Sequence, residues 1–305
     1  MSRLARFRRR WRSHRLQARI ARAQEVVGVF LPYRHAQDLR PTGAPELLPI
    51  FEAAEPAMRE LLTTIEGFAD AFARFGGPAP APRFEQDWFP GLDALAAYAL
   101  VRSRAPRQIV EIGSGHSTRI MARAMADGGL ATRITAIDPA PRAALRDLPV
   151  TWHAQLLQAS DPALVDRLAP GDILFVDSSH LLVAGSDVEW VLTRLLPRVR
   201  PGVLLHVHDV FLPDPYPPNW AWRGYNEQAA LVPLLLGGWR LLWTSHYLRT
   251  HRPQLLQDNL AAHVPPPEGA FESSLWLERT PACVPPHRSG NPGSGRKAKR
   301  RLGAS

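Results

Sequence analysis

The chain has 305 residues, of which 45% are hydrophobic and 21% charged, so it can bury a substantial core and is not a disordered chain as a whole. Its net charge of +9 comes from its two ends: residues 1–24 hold nine Arg and no acid, and residues 286–305 hold six basic residues and no acid. Without those 15 residues, 22 basic residues face 28 acidic ones, which leaves the central body mildly acidic. We therefore do not expect a nucleic acid to bind the folded body.

The sequence predicts a cytoplasmic protein. A single cysteine, Cys283, excludes an intramolecular disulfide and a cysteine-based zinc site. The longest apolar stretch, residues 229–243, is interrupted by Pro233 and Arg240 and is too short to span a membrane. The Arg-rich start lacks the apolar core and cleavage site of a secretory signal.

The N-terminal arm has two interpretations. Leu4, Phe7 and Trp11 would share one side of a helix, so the arm has the pattern for contact with an anionic membrane surface. The alternative is a solvated arm with no partner. The sequence does not predict an oligomeric state.

Four regions follow in chain order. Residues 1–24 are predicted to be a basic flexible arm, and residues 25–83 a helical extension that ends in a Pro/Gly linker at 76–82. Residues 84–280 form the main domain, and residues 281–305 a disordered basic tail.

The main domain alternates between short apolar runs and helical segments. Helices are predicted at 118–126, 187–199 and 227–236. Strands are predicted at 108–112, 133–137, 150–155, 172–176, 203–207, 240–244 and 274–277. Strands that are apolar on both faces and separated by helices indicate an α/β fold with a doubly wound, mostly parallel sheet.

A glycine turn follows the first predicted strand. Gly113 and Gly115 let the backbone approach a ligand closely, and the helix that begins after them offers free N–H groups. Asp138 ends the next strand, where its carboxylate can accept hydrogen bonds from both hydroxyls of a ribose. The alternative role for Asp138 is a structural helix cap. Together, the turn and the acid favour a nucleoside ligand.

Two residues distinguish between nucleosides. A dinucleotide site needs a third glycine where Thr118 stands. Glu111 precedes the glycines, which suits a cationic amino-acid ligand and would repel a pyrophosphate. Adenosylmethionine therefore fits better than NAD, and an NAD-linked oxidoreductase is the first rival interpretation.

At this point the chain resembles a known family. Val110 to Thr118 looks like motif I of the class I S-adenosylmethionine-dependent methyltransferases, and Ile137-Asp138-Pro139 looks like their ribose-binding acid. The segments 171–180, 206–213 and 225–228 are similar to motifs of the methyltransferase family 24 subgroup.

The resemblance implies a fold and a cofactor site. The fold would be a Rossmann-like seven-stranded sheet with the last strand antiparallel. The residues that bind S-adenosyl-L-methionine would be Glu111, Gly113, Ser114, Gly115, Ser117, Asp138 and Asp177. Residues 158–161 would lie by the adenine, and residues 87–89 would close over the methionine end.

Two strand-end acids are candidates for a metal site. Asp177 and Asp209 end neighbouring strands, which lie about 4.8 Å apart, so the two carboxylates could share Mg²⁺ or another divalent cation. Related catechol-type methyltransferases carry an Asn after the second acid, where this chain has Val210. Asn226 or a histidine could substitute, so the sequence leaves the metal open.

The catalytic candidates are His180, His208 and Asp177. A neutral imidazole at His180 or His208 could take a proton from a hydroxyl or amine during methyl transfer, and a neighbouring acid would raise its basicity. A histidine that merely hydrogen-bonds a loop is the alternative for each. His206 is predicted to be a core residue, and His116 a turn residue.

A Pro-rich aromatic segment follows the fifth strand. Tyr216, Trp220 and Trp222 are predicted to wall an acceptor pocket or form a lid, with a satellite core as the alternative.

The favoured function is methyl transfer to an oxygen of a small-molecule or glycan-like acceptor, with oxygen chosen by analogy. The second rival is a non-catalytic protein that uses its basic arms to bind RNA or a membrane.

Overall fold

The computed structural model describes residue 35 and residues 39–281. The basic arm predicted at 1–24, including its possible membrane contact, lies outside the described residues, as does all but the first residue of the predicted tail.

One seven-stranded sheet organises the domain. Its strands in chain order are β1 (Gln108–Ile112), β2 (Arg133–Ile137), β3 (Val150–His153), β4 (Ile173–Val176), β5 (Leu204–Val207), β6 (Trp239–Thr244) and β7 (Leu275–Arg279). The spatial order is β3-β2-β1-β4-β5-β7-β6. The third strand was predicted at 150–155, but it ends at His153, because residues 154–155 do not pair with β2.

The first five strands are parallel, and the last is not. β1 pairs in parallel with β2 and β4, while β7 pairs antiparallel with both β5 and β6. The predicted doubly wound fold with an antiparallel last strand is confirmed. The order of the strands reverses between β1 and β4. The loops after these two strands therefore border the crevice in which doubly wound sheets bind ligands.

Helices cover the sheet. Their bounds are α1 (Leu48–Ala53), α2 (Glu55–Glu66), α3 (Ala69–Phe72), α4 (Gly91–Arg104), α5 (His116–Gly128), α6 (Asp187–Trp190), α7 (Glu227–Leu236) and α8 (Ser245–His251). The single helix predicted at 187–199 is instead α6, a π-helical turn at Val191–Leu195 and a 3-10 turn at Leu196–Arg198. Pro197 accounts for the change, because it has no N–H to continue an α-helical ladder.

The N-terminal helices share the core of the sheet. Phe51, Met58 and Ile65 are fully buried in the same apolar cluster as Trp243 and Tyr247. The Phe51 and Tyr247 rings lie 5.3 Å apart, and the Tyr247 hydroxyl donates to Glu55 Oε1 at 2.9 Å. The predicted linker at 76–82 therefore does not separate two hydrophobic cores.

None of the helices in the described part of the chain has the length and apolar character needed to cross a membrane.

Gly113 lets the ends of β1 and β4 meet. Its φ of 74° is left-handed, and a Cβ added here would fall on the carbonyl oxygen of Asp177. The Asp177 N–H donates to the carbonyl of Ile112 at 2.8 Å, which fixes this approach. Only glycine suits both the backbone angle and the space.

We expect Gly113→Ala to lower the free energy of unfolding by about 3 kcal/mol or more, because it adds a backbone clash to left-handed strain. Gly129→Ala is the matched control, since Gly129 also has a positive φ (57°) but nothing within 4 Å of its added Cβ. The control substitution should lower the free energy of unfolding by about 1 kcal/mol, because it introduces backbone strain alone. Urea unfolding of both variants measures the difference, and equal losses would contradict the importance of the close approach.

Candidate active site

The glycine turn and Asp138 form one hydrogen-bonded unit. The backbone N–H and hydroxyl of Ser114 donate to Asp138 Oδ2 at 2.7 and 3.1 Å. The N–H of Ala140 donates to Asp138 Oδ1 at 2.7 Å. The carboxylate is thereby fixed at the mouth of the turn, and it remains partly exposed.

Glu111 supports the turn from below. It is fully buried, and its carboxylate accepts from the hydroxyls of Ser117 at 2.7 Å and Thr118 at 2.8 Å. Thr118 Oγ1 also accepts from the Gly115 N–H at 2.9 Å. Burial raises the pKa of Glu111 to about 8, although the hydrogen bonds from the two hydroxyls act to lower it. In this arrangement Glu111 shapes the turn, and its direct contact with a ligand stays a prediction.

A cleft of about 430 Å³ opens beside the turn, which we call the glycine-turn cleft. Of the predicted cofactor residues it is lined by Gly113, Ser114, Asp138 and Asp177. Leu156, Leu157 and Gln158 form another wall, and of these only Gln158 belongs to the segment 158–161 that was predicted to lie by an adenine. Glu111, Gly115 and Ser117 are not among the lining residues. The predicted set therefore divides into residues that face the cleft and residues that hold its walls.

His180 lies among three carboxylates. Its Nδ1 is 2.9 Å from Glu227 Oε2, and its Nε2 is 3.3 Å from both Asp177 Oδ1 and Asp209 Oδ2. The imidazole is buried, and Glu227 also accepts from the Ser178 hydroxyl at 3.1 Å. The structure thus brings the predicted His180, Asp177 and Asp209 together.

His208 joins the same group of acids from the other side. Its Nε2 is 3.2 Å from Asp93 Oδ2, and its Nδ1 is 3.4 Å from Asp209 Oδ1. Asp93 is fully buried on α4 and accepts from the N–H groups of Ser273 and Ser274 at 3.0 and 2.9 Å. We call the six residues Asp93, Asp177, His180, His208, Asp209 and Glu227 the charge cluster.

Two members of the charge cluster have strained backbones. His180 has a φ of 60° and Asp209 a φ of 54°, and neither is glycine. Non-glycine residues in the left-handed region cost free energy and concentrate at functional sites. The strain agrees with a functional role for both side chains.

The electrostatics of the cluster favour charged imidazoles. Burial opposes charge on His180, but Asp209, Asp177 and Glu227 raise its pKa well above the usual range. Burial likewise opposes charge on His208, but Asp209, Asp93 and Asp177 raise its pKa to about 9. The predicted role of a neutral imidazole base therefore does not match the surroundings of either histidine at neutral pH.

Asp177 and Asp209 do not fit a divalent ion as they stand. The His180 ring stands between them, within 3.3 Å of an oxygen of each. Among the described residues, neither aspartate belongs to a group of three His, Cys, Asp or Glu ligand atoms within 4.8 Å of one another. The Asn226 amide, considered as a substitute ligand, instead pairs with the backbone of Leu182, at 2.6 Å to its N–H. The His180 imidazole takes the place between the two aspartates that a metal would take.

A second cleft, of about 280 Å³, opens on the other side of Asp177, and we call it the aromatic cleft. Trp88, Trp220 and Phe271 line it together with Arg142 and Arg223. The Arg142 guanidinium lies 4.2 Å from the centre of the Trp88 ring, and the Arg223 guanidinium 4.0 Å from that of Trp220. Cations over aromatic faces stiffen both walls.

The three predicted lid aromatics have different positions. Trp220 lines the aromatic cleft. Tyr216 is buried against Phe211, with ring centres 5.7 Å apart, so it belongs to the alternative satellite core. Trp222 is 62% exposed and lines neither cleft.

The other histidine predictions agree with the structure. His206 is fully buried, stacks on Phe175 at 3.7 Å, and its Nε2 lies 2.9 Å from the Ser274 hydroxyl. Burial lowers the pKa of His206 well below the usual range and that of His116 to about 4. His116 begins α5 directly after the glycine turn.

Sequence reasoning missed Asp93 and Glu227. Asp93 gave no signal, because it sits in an apolar helix 115 residues from His208. Glu227 did give one, since it lies in the segment 225–228 that carried part of the family resemblance. Its contact with His180 across 47 residues could not be read from spacing.

Comparison with known families gives one match, to the part of the chain that holds most of the glycine-turn cleft. Residues 110–210 match the model of family 24, described as a methyltransferase domain. This part of the chain is therefore similar to that family. The match covers about a third of the chain, and it includes the glycine turn, Asp138, Asp177, His180 and Asp209.

Solved structures resemble this chain at low identity. A putative O-methyltransferase from Klebsiella pneumoniae is 16% identical, over 72% of this chain and 90% of that one, with a TM-score of 0.39. The O-methyltransferase TomG from Streptomyces achromogenes, solved with SAM, is 18% identical over 73% and 90%, with a TM-score of 0.37. An O-methyltransferase from Bacillus cereus, solved with SAH, is 22% identical over 49% and 67%, with a TM-score of 0.30. A search of curated protein sequences gave no match.

The buried Glu111 should make stability depend on pH. Because the folded state raises the pKa of Glu111 from 4.5 to about 8, it binds this proton more tightly than the unfolded state. The stabilisation is complete below pH 4.5 and is lost as the pH rises through about 8. Residue 111 cannot titrate in Glu111→Gln, so the free energy of unfolding of this variant should fall less than that of the wild type between pH 5 and 9, by on the order of 4 kcal/mol.

Denaturant unfolding at several pH values measures this dependence. The control is Glu60→Gln, at an exposed position on α2, which should follow the wild-type profile. If Glu111→Gln also follows the wild-type profile, Glu111 is already ionised at neutral pH.

Proposed function

We propose that the chain transfers the methyl group of S-adenosyl-L-methionine to an oxygen of a small-molecule acceptor. The observation that carries the proposal is the position of Asp177. This side chain lines both the glycine-turn cleft and the aromatic cleft, so it lies where two bound molecules would meet. A transferase needs such a junction, because the reacting atoms must approach to about 3–3.5 Å in line.

The glycine-turn cleft suits the cofactor. Asp138 is fixed at its mouth with its carboxylate partly exposed, as recognition of a ribose requires. Leu156 and Leu157 offer an apolar wall for a purine ring. Glu111 and the glycines then act by holding the shape of the turn beside the ligand.

The aromatic cleft suits an acceptor of about one ring. Trp88, Trp220 and Phe271 provide apolar walls that exclude water from the junction. Arg142 lines both clefts and can face the polar part of either ligand. A glycan-like acceptor is the alternative, because aromatic faces also stack on sugar rings.

Catalysis would come mainly from positioning. The acceptor oxygen attacks the methyl carbon, the S–C bond breaks, and its electron pair stays on sulfur. The acceptor hydroxyl donates a hydrogen bond to the Asp177 carboxylate, and its proton then passes to water, which can reach Asp177 because 30% of this side chain is accessible. Burial acts to raise the pKa of Asp177, but His180 and His208 lower it well below the usual range. Asp177 therefore remains an acceptor of hydrogen bonds, and the charged His180 and His208 hold it in place.

Calorimetric titration tests cofactor binding. Adenosylmethionine and adenosylhomocysteine should bind the wild-type protein, and NAD should not. Asp138→Ala should weaken binding at least about 30-fold, because it removes the acceptor of two ribose hydroxyl hydrogen bonds. Asp258→Ala, at an exposed acid on the surface, is the matched control and should bind as the wild type does.

Either of two results would overturn the cofactor assignment. Folded wild-type protein that binds neither sulfur ligand would exclude a methyltransferase that uses this cleft. Binding of NAD that depends on Asp138 would favour the oxidoreductase.

Methyl transfer should not need added magnesium. An acceptor screen with isotopically labelled adenosylmethionine identifies a substrate, and rates with and without added Mg²⁺ should then agree within about twofold. The reason is that the His180 imidazole occupies the space between Asp177 and Asp209. A rate that rises more than about tenfold with Mg²⁺ would show that the ring moves aside for the metal.

A further inference from the structure

A second group of ligating side chains lies outside the charge cluster. His246 Nε2 and His251 Nε2 each lie 2.8 Å from Asp214 Oδ2. Among the described residues, these three form the only group of three His, Cys, Asp or Glu ligand atoms within 4.8 Å of one another. Both histidines belong to α8, and Asp214 belongs to the loop after β5.

We propose that Asp214, His246 and His251 bind a divalent transition metal of the zinc class. Two imidazoles and one carboxylate are a ligand set that zinc uses in open, three-residue sites. Ligand atoms around a tetrahedral zinc ion lie about 3.3 Å apart, so the present 2.8 Å separations need to widen by only about half an ångström.

The surroundings allow a fourth ligand and fix the first three. The side chains are 40% exposed at Asp214, 29% at His251 and 12% at His246, so water can reach the remaining position. The Asp214 carbonyl accepts from Gln228 Nε2 at 3.0 Å. The His251 ring stacks on Tyr247 at 5.5 Å.

The site would stabilise the back of the aromatic cleft. Phe211 packs on His246 at 5.1 Å, and its other contacts include Trp220 at 5.2 Å and Phe271 at 5.5 Å. Trp220 and Phe271 line the cleft. A bound metal would tie the loop after β5 to α8 and hold this wall in place. The role is structural and does not depend on the proposed methyl transfer.

Zinc binding to the full-length protein tests the proposal. Metal-free protein is dialysed against Zn²⁺, and the bound metal is counted by elemental analysis. Co²⁺ is used as a spectroscopic probe of a nitrogen- and oxygen-ligated site. We expect one equivalent of zinc in the wild-type protein and a higher melting temperature when it is bound.

The variants distinguish this site from others. His251→Gln should weaken zinc binding at least about 100-fold and abolish the effect of zinc on the melting temperature. His153→Gln, at an exposed histidine on β3, is the matched control and should bind zinc as the wild type does. Asp177→Asn should also bind normally, which separates this site from the charge cluster. Asp214→Asn serves as a second variant if His251→Gln does not fold.

The proposal fails if the wild-type protein takes up no zinc. It also fails if the folded variants of His251 or Asp214 bind zinc as tightly as the wild type, since the metal would then lie elsewhere.

Discussion

The pairing of buried charges in the charge cluster is the constraint on which the rest of the site depends. An unpaired buried charge destabilises a fold by several kcal/mol, so three buried carboxylates and two buried imidazoles can lie together beside the partly exposed Asp177 only if each faces an opposite charge or a donor. His180 meets this condition for Asp177, Asp209 and Glu227, and His208 meets it for Asp93 and Asp209. The loops after β4 and β5 and the start of α7 must hold their positions for these contacts to exist. The left-handed backbones of His180 and Asp209 are consistent with loops held against their local preference.

The glycine turn and the charge cluster meet at Asp177. Gly113 lets β1 and β4 end side by side, and the Asp177 N–H closes the gap by bonding to Ile112. The same aspartate carries its side chain into both clefts. The backbone contact with Ile112 and the ion pairs of the side chain therefore fix the position of Asp177. This arrangement explains how residues from distant parts of the chain converge on one junction.

Local sequence patterns predicted the sheet and half of the site. Apolar runs ending in Gly113, Asp138, Asp177 and His208-Asp209 placed these residues at one edge of the sheet, because parallel strands share that edge. The partners of the histidines could not be predicted, since Asp93 and Glu227 reach them only through tertiary packing. A neutral imidazole was expected from the pKa of a free histidine, but the neighbouring acids raise the pKa of His180 and His208 against the effect of burial. Helix α8 was missed because it is seven residues long and begins directly after β6, with no side-chain cap.

Because β7 is the last strand in the chain, the site can be completed only after β7 has been synthesised. The N–H groups of Ser273 and Ser274, just before β7, are donors to Asp93 on α4, some 180 residues earlier. A nascent chain emerges N-terminal end first, so α4, β1, β4 and β5 are all synthesised before these donors exist. Until β7 inserts between β5 and β6, Asp93 lacks two of its hydrogen bonds and β5 has an open edge. The last strand therefore acts as a closing element, and the domain acquires its buried charges in their final arrangement only at the end of translation of this region.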